Sequence, residues 1–226
     1  VLGGLVVALA LIPEAISFSV IAGVDPRVGL FASVTMAVTI AFVGGRPAMI
    51  SAATGAVALV VAPIAKEHGL DYLVATVLLA GLFQVLLGIA GVGRLMRFVP
   101  RSVMVGFVNA LGILLALAQW ENLHDVPWLV YPLAALGIAI MVAMPRITRM
   151  VPAPLIAILI LTALTWAGHM DVPTVADKGE LPDSLPGLMI PDVPWNWDTL
   201  TLIAPYALGM ALVGLMQTLA LEGERY

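Results

Sequence analysis

Apolar residues follow one another in long runs along this chain, and short polar segments with Gly and Pro separate the runs. A helix that crosses the hydrocarbon core of a bilayer needs about 20 predominantly apolar residues. The pattern therefore predicts an all-α, polytopic transmembrane protein rather than a sheet or a water-soluble bundle. Eight runs can be delimited: Val1–Ala22, Val28–Val43, Ile50–Ala65, Tyr72–Val92, Val103–Trp120, Trp128–Met144, Pro154–Ala167 and Leu200–Leu221.

Composition agrees with this pattern and excludes several functional classes. The 226 residues are 62% hydrophobic and 11% charged, with a mean hydropathy of +1.08, whereas about a quarter of the residues in a soluble domain are charged. The formal net charge is -4, and the basic residues do not form the cluster that nucleic-acid binding requires. The sequence contains no cysteine, which excludes disulfides, thiolate metal sites and cysteine nucleophiles within it.

The polar, Gly and Pro residues between the apolar runs predict how the chain is arranged across the membrane. Residues 1–167 contain seven spans, residues 168–198 form a polar extramembrane loop, and residues 199–226 contain the eighth span. Short loops with more Lys and Arg lie in the cytoplasm. Loops after even-numbered spans contain Arg46, Arg94, Arg97, Arg101, Arg146 and Arg149, against Arg27, Lys66 and Lys178 on the other side. We therefore expect a multi-pass protein of the cytoplasmic membrane with a cytoplasmic N-terminus and an outward-facing 168–198 loop.

One acidic residue lies deep within an apolar run. Glu14 follows Pro13 in the first span, about 21 Å along the helix axis from its start. An ionisable group at that depth is energetically expensive and usually marks a transport pathway or a proton relay. The alternative is a Pro-kinked helix in which Glu14 only bonds to a neighbouring helix.

The third span is unusually short. Its apolar part, Ala56 to Ala65, measures about 15 Å, half of a hydrocarbon core of about 30 Å. A helix that begins in mid-membrane presents free N–H groups and its positive dipole end, an arrangement that suits an anion, with Ser51 and Thr54 as capping candidates. An unbroken helix from Ala48, with Thr54 bonded to its own backbone, is an equally compatible interpretation.

The remaining polar and glycine residues indicate packing more than chemistry. Asn109 and Gln217 are amides within spans and either bond between helices or line a pathway. The glycines in the fourth and fifth spans favour close helix packing. The three histidines lack the spacing of metal ligands, and no catalytic motif occurs. We therefore expect no cofactor, no metal site and no enzyme activity.

Four ordered motifs resemble the SulP anion permeases. The first is Ile12-Pro13-Glu14-Ala15-Ile16-Ser17-Phe18-Ser19 with Gly23 and Gly29-Leu30-Phe31, which is similar to the first-span signature of that family. The others are Gly44-Gly45-Arg46-Pro47 to Ala56 in the third span, Gly93-Arg94 to Ile113 at the fourth-to-fifth span junction, and Gly179-Glu180-Leu181-Pro182 with Leu185-Pro186 before the eighth span.

The resemblance implies a fold of two inverted seven-helix repeats, of which this chain has the first repeat and the eighth span. It also implies an anion held at mid-membrane between half-helices of spans three and ten. The substrate-binding positions that carry over are Glu14, Phe18, Ala53, Thr54 and Gly55. The second repeat and a cytoplasmic STAS domain are expected outside these residues, so the chain alone is not expected to transport. Relatives of this kind are commonly homodimers when full length.

Two departures from the family pattern bear on coupling. Glu14 stands where the family usually has Gln, and Gln217 stands where sodium-coupled relatives have a carboxylate. These departures favour protons over sodium and make Glu14 the proton-coupling candidate. The sequence thus predicts a proton-coupled symporter of an inorganic or small organic anion, surrounded by membrane lipid. The open alternatives are an anion exchanger or channel-like member, a nucleobase permease of the same architecture, and a non-transporting fragment.

Overall fold

A computed structural model describes residues 2–44, 52–92, 100–148, 151–179, 181–184, 187 and 189–223. Helices account for most of these residues, and none of the described residues lies in a strand. The α-helices are α1 (Leu2–Ala22), α2 (Pro26–Val43), α3 (Gly55–His68), α4 (Leu70–Ile89), α5 (Arg101–Ala118), α6 (Trp120–Leu123), α7 (Val130–Ile147), α8 (Ala153–Ala167) and α9 (Trp197–Gly223).

Each apolar run predicted from the sequence corresponds to a helix, so the all-α prediction is confirmed. Five helical segments within the described residues are long and apolar enough to cross a membrane: Gly4–Ala22, Pro26–Val43, Leu70–Ile89, Val130–Ile147 and Trp197–Gln217. Shorter apolar helices cover Ser102–Ala118 and Ala153–Ala167. The inverted repeat remains a prediction.

The third span is where the observed helix differs most from the apolar run predicted from the sequence. The 14 residues of α3 measure about 21 Å, which is less than the thickness of a hydrocarbon core. Residues 52–54 precede it without helical structure. The described residues therefore have a short helix that begins at Gly55, and the alternative of an unbroken helix from Ala48 is wrong.

The chain divides into two compact units, of which the first comprises Val1–Val20, Asp25–Ala53 and Ala118–Leu185. Its helices α7 and α8 pack together, with buried Gly137 of α7 against Leu161 of α8. On α1 the buried positions Ala15 and Ser19 are one helical turn apart, so a narrow face of small side chains contacts the rest of the unit.

The second unit comprises Ile21–Val24, Thr54–Leu117 and Pro186–Tyr226, and α3, α4 and α9 pack against one another within it. Alanines and glycines make up many of the buried positions on these helices, alongside larger residues such as Ile64 and Ile203, and small residues let helix axes approach closely. On α9 the buried residues Ile203, Ala207 and Ala211 recur every four positions and form one face. This face continues toward Gly214 and Gln217, which are placed three residues apart on the same helix.

The polar segment between α8 and α9 has local structure of its own. A 3-10 turn spans Val175–Lys178 and begins with a reciprocal cap between Thr174 and Asp177. Nearer to α9, the backbone N–H of Asp192 donates to Asp71 Oδ1 at 3.2 Å. The Asn196 side chain accepts from the N–H of Thr199 at 2.8 Å and thereby caps the start of α9.

Candidate functional site

The start of α3 is fixed by its N-cap residue. Thr54 has an extended backbone (φ -123°, ψ 146°), and its Oγ1 accepts from the N–H of Val57 at 3.4 Å. The Thr54 carbonyl oxygen accepts the first regular helical bond, from Ala58 N at 3.0 Å. Threonine is a favoured N-cap because its side-chain oxygen replaces a carbonyl that the helix lacks. Ser51, the other capping candidate, lies outside the described residues.

Two backbone donors at this helix end, on Gly55 and Ala56, are the next feature of the site. Among the described residues, no hydrogen-bond acceptor pairs with the N–H groups of Gly55 and Ala56. Both residues are buried, so their N–H groups have little access to water. A buried N–H without a partner costs about 1–3 kcal/mol, and the positive end of the helix dipole lies at the same place. The start of α3 therefore has the donors and the field that bind a small anion.

A residue from α9 completes the polar environment of Thr54. The Gln217 amide Nε2 donates to Thr54 Oγ1 at 3.1 Å, and the Thr54 hydroxyl lies 3.2 Å from Gln217 Oε1, to which it can donate. Both side chains are half-buried. Gln217 therefore makes the bond between segments that was one of the two roles expected for it, and a pathway-lining role remains a prediction.

A second amide, from α4, was not singled out from the sequence. Gln84 lies so close to α9 that a Cβ added at Gly214 would collide with its Nε2. Because Gly214 and Gln217 are three residues apart on α9, the Gln84 amide lies about one helical turn from the backbone of Gln217. The signal in the sequence was a lone amide within an otherwise apolar span.

The first-span candidates lie on α1, in the other compact unit. Glu14 is exposed and Phe18 is half-buried, while the intervening Ala15 is buried. The described residues therefore do not enclose the Glu14 carboxylate. Ala53 and Gly55 flank Thr54, and they are half-buried and buried, respectively. The structure thus brings Thr54 together with Gln217, and describes Glu14 and Phe18 as part of a separate unit.

The other polar candidates have no comparable contacts. Asn109 is exposed on α5. Within the described residues, no group of three or more His, Asp or Glu is placed to hold a metal ion. His124 Nδ1 lies 3.0 Å from the carboxylate of Asp125, but both side chains are largely exposed.

Comparison with known families settles what kind of protein carries these features. The family model described as "Sulfate permease family" matches residues 1–222. This chain belongs to the sulfate permease family. The resemblance to anion permeases, which rests on four sequence motifs, is therefore confirmed. The protein is a multi-pass membrane protein.

Similar proteins carry the names of transporters. YbaR of Bacillus subtilis (strain 168), named as a candidate sulfate transporter, is 51% identical over 219 residues, which cover 97% of this chain and 46% of YbaR. The bicarbonate transporter BicA of Picosynechococcus sp. (strain PCC 7002) is 27% identical over 225 residues, 84% of this chain and 39% of BicA. The names of these relatives describe transporters, so the prediction that this is not an enzyme is confirmed at the level of the family.

The fold also matches a solved structure. The transmembrane domain of a cyanobacterial bicarbonate transporter BicA superimposes with a TM-score of 0.77 at 24% identity, covering 95% of this chain and 62% of that chain. This similarity establishes the fold. The chain spans about half the length of the curated relatives that it matches.

Proposed function

We propose that this chain forms part of a secondary active transporter that carries a small inorganic anion together with a proton. The observation that supports it most is the start of α3, where the N–H groups of Gly55 and Ala56 have no acceptor among the described residues. The relatives are named for sulfate and bicarbonate transport, and both are oxyanions that such donors recognise. Sulfate and bicarbonate are therefore the substrates to test first.

In this proposal the site is the start of the third span. Ala53, Thr54 and Gly55 contribute backbone groups, and the Thr54 side chain caps the helix at this point. Glu14 and Phe18 are proposed substrate contacts because their motif resembles that of the family. The anion would bind at mid-membrane depth and be exposed to each side in turn, as in other transporters with broken helices. The full-length protein is proposed to act as a homodimer in the cytoplasmic membrane.

Glu14 is proposed as the residue that carries the proton. An anion and an ionised carboxylate both lose hydration free energy when they enter hydrocarbon. Protonation of Glu14 removes one of the two charges, so the anion and the proton cross together at a lower free energy than the anion with an ionised Glu14. No Lys or Arg occurs near the middle of the first span to neutralise Glu14 instead.

The test is uptake of radiolabelled sulfate and bicarbonate by the full-length protein in proteoliposomes, with and without an inward proton gradient. We expect the gradient to accelerate uptake by the wild type, and Glu14→Gln to abolish that acceleration because the amide binds no proton. Glu67→Gln is the matched control, since Glu67 is an exposed acid at the far end of α3.

Each outcome bears on a different part of the proposal. Uptake by Glu14→Gln that responds to the gradient as the wild type does would overturn proton coupling by Glu14. Uptake that requires an internal counter-anion and ignores the gradient would favour an exchanger. Absence of sulfate and bicarbonate uptake by the wild type, in vesicles that contain folded protein, would contradict the proposed substrates.

A further inference from the structure

The Thr54 hydroxyl uses its full hydrogen-bonding capacity on Val57 and Gln217. It accepts from the N–H of Val57 on its own helix and from Nε2 of Gln217, and it lies within donating distance of Gln217 Oε1. A hydroxyl has one proton and two lone pairs, so these three interactions use all of its capacity. The Gln217 amide thus fixes the direction in which the hydroxyl points.

The neutral Gln217 amide both donates to this hydroxyl and accepts from it, which an ionised acid or an aliphatic side chain cannot do. A carboxylate accepts but does not donate, and an aliphatic side chain does neither. An ionised acid at position 217 would also place a negative charge near the start of α3, where the helix dipole favours anions. That charge would compete with a bound anion for the same field.

The packing of α9 holds Gln217 in position. The buried face of α9, formed by Ile203, Ala207 and Ala211, packs within the unit that contains α3 and α4. One turn before Gln217, Gly214 has the Gln84 amide against it. The helix that carries Gln217 is therefore packed against α3 and α4.

We infer that Gln217 is a positioning residue that sets the affinity for the anion by holding the Thr54 hydroxyl and keeping the start of α3 free of a competing charge. This inference rests on the proposed function, because it assigns a role at the same helix end. Gln217 acts through Thr54 and leaves the N–H groups of Gly55 and Ala56 as the donors to the anion.

The test compares Gln217→Leu and Gln217→Glu with the wild type in the full-length protein, by concentration-dependent uptake of sulfate and of bicarbonate into proteoliposomes. Gln217→Leu removes both contacts between the amide and the Thr54 hydroxyl. Because these contacts join the same two groups, we count them as one neutral hydrogen bond, which corresponds to about 0.5–1.5 kcal/mol. We therefore expect Gln217→Leu to raise KM about two- to thirteenfold, with a smaller change in the maximal rate. Asn109→Leu, which removes an exposed amide from α5, is the matched control and should leave KM unchanged.

The pH dependence separates the charge effect from a packing effect. For Gln217→Glu, the ratio of its KM to that of the wild type should fall as the pH is lowered, because a neutral carboxyl both donates and accepts as the amide does. For Gln217→Leu the ratio should not change with pH. The titratable groups on the packed helices α3 and α4 are remote from Thr54, at the opposite end of α3 and the start of α4: Lys66, Glu67, His68, Asp71 and Tyr72. On α9, the sequence has Asp198 and Tyr206 before position 217 and Glu222 after it.

A double-mutant cycle tests whether Gln217 acts through Thr54. If it does, Gln217→Leu should raise KM much less when Thr54 is already Val than when Thr54 is intact. Thr54→Ser, which retains the hydroxyl, should remain sensitive to Gln217→Leu. If Gln217→Leu reduces the amount of folded protein, Gln217→Glu takes its place, because its side chain has almost the same shape as that of Gln. Anion-dependent thermal stabilisation by sulfate then measures binding directly.

The outcomes distinguish this inference from the proposed function. If both Gln217 variants take up the anions at the wild-type rate and with unchanged KM, the positioning role is overturned and anion transport still stands. Additive effects of Thr54→Val and Gln217→Leu would likewise overturn it. Absence of sulfate and bicarbonate uptake by folded wild type would instead contradict the proposed function.

Discussion

At the scale of single residues, the structure assigns the glycines different roles from those expected. A Cβ added at Gly81, Gly88, Gly106 or Gly112 would meet nothing within 4 Å, so these glycines are not close helix contacts among the described residues. Gly29 of α2, in contrast, is in close contact with α1. A Cβ there would collide with the Ser19 hydroxyl and lie 2.6 Å from the Ala15 carbonyl oxygen.

We predict that Gly29→Ala lowers the stability of the full-length protein by about 1–3 kcal/mol, the usual range for overpacking. The obstacle is backbone, and Ser19 is held by its own bond to Ala15 O at 2.8 Å, so neither atom can move aside cheaply. Thermal unfolding in detergent, followed by tryptophan fluorescence, measures the change.

Gly106→Ala is the control for that experiment, because open space surrounds Gly106 and Ala favours a helix over Gly by about 1 kcal/mol. Its unfolding temperature should stay the same or rise. Equal unfolding temperatures for wild type and Gly29→Ala would show that the contact between α1 and α2 relaxes without loss of free energy.

Prediction of the candidate site from sequence succeeded where the signal was local. Thr54 was identified as a capping candidate because an N-cap needs only its own helix, and it does cap α3. The partner of Thr54 is 163 positions away along the chain, and no local pattern encodes such a pairing. The roles of Glu14 and Phe18 remain predictions.

At the scale of elements, the short α3 and the segment between α8 and α9 show how caps set boundaries. The cap at Thr174 joins its backbone N–H and hydroxyl to Asp177 Oδ2 at 2.6 and 2.8 Å. The backbone hydrogen bond, and then the hydroxyl bond, lower the pKa of Asp177 below its ordinary value of 3.8. The cap therefore stabilises this turn while Asp177 is ionised.

We predict that the turn loosens in acid. Because folding lowers the pKa of Asp177, its stabilising contribution is present above the unfolded value of 3.8 and is lost as the pH falls through the lower folded value. Asp177→Ala should remove the cap at every pH, so at neutral pH the Thr174 amide should exchange hydrogen faster than in the wild type.

Hydrogen–deuterium exchange of the full-length protein, read by mass spectrometry, measures this difference. The comparison with Asp183→Ala, an exposed acid of the same segment, controls for the loss of a charge. Identical exchange at Thr174 in all three proteins would show that the reciprocal cap does not protect the turn.

At the scale of the whole molecule, orientation in the membrane is the prediction that the fold leaves open. The Trp residues near helix ends, Trp120, Trp128, Trp195 and Trp197, are exposed, as expected for side chains at a membrane–water interface. The orientation itself depends on basic residues of the short loops, and Arg46, Arg94, Arg97 and Arg149 lie outside the described residues.

We predict opposite accessibility for two introduced cysteines. Asp183→Cys lies in the segment expected outside, and Val151→Cys lies in a loop expected in the cytoplasm; both side chains are exposed. In intact cells, a membrane-impermeant maleimide should label Asp183→Cys and spare Val151→Cys, relative to the parent protein. Labelling of both after permeabilisation is the control, and the reverse pattern in intact cells would invert the topology.

Local sequence was enough to specify the helices, because the transfer of apolar runs into a bilayer and the chemistry of helix caps depend on neighbouring residues. It also determined the family, since four motifs keep their order along the chain. The assembled structure was needed to show which helices pack together, that Gly29 lies against α1, and that Gln217 bonds to Thr54. These pairings join residues far apart in the chain, and their free energy arises only when the helices are assembled.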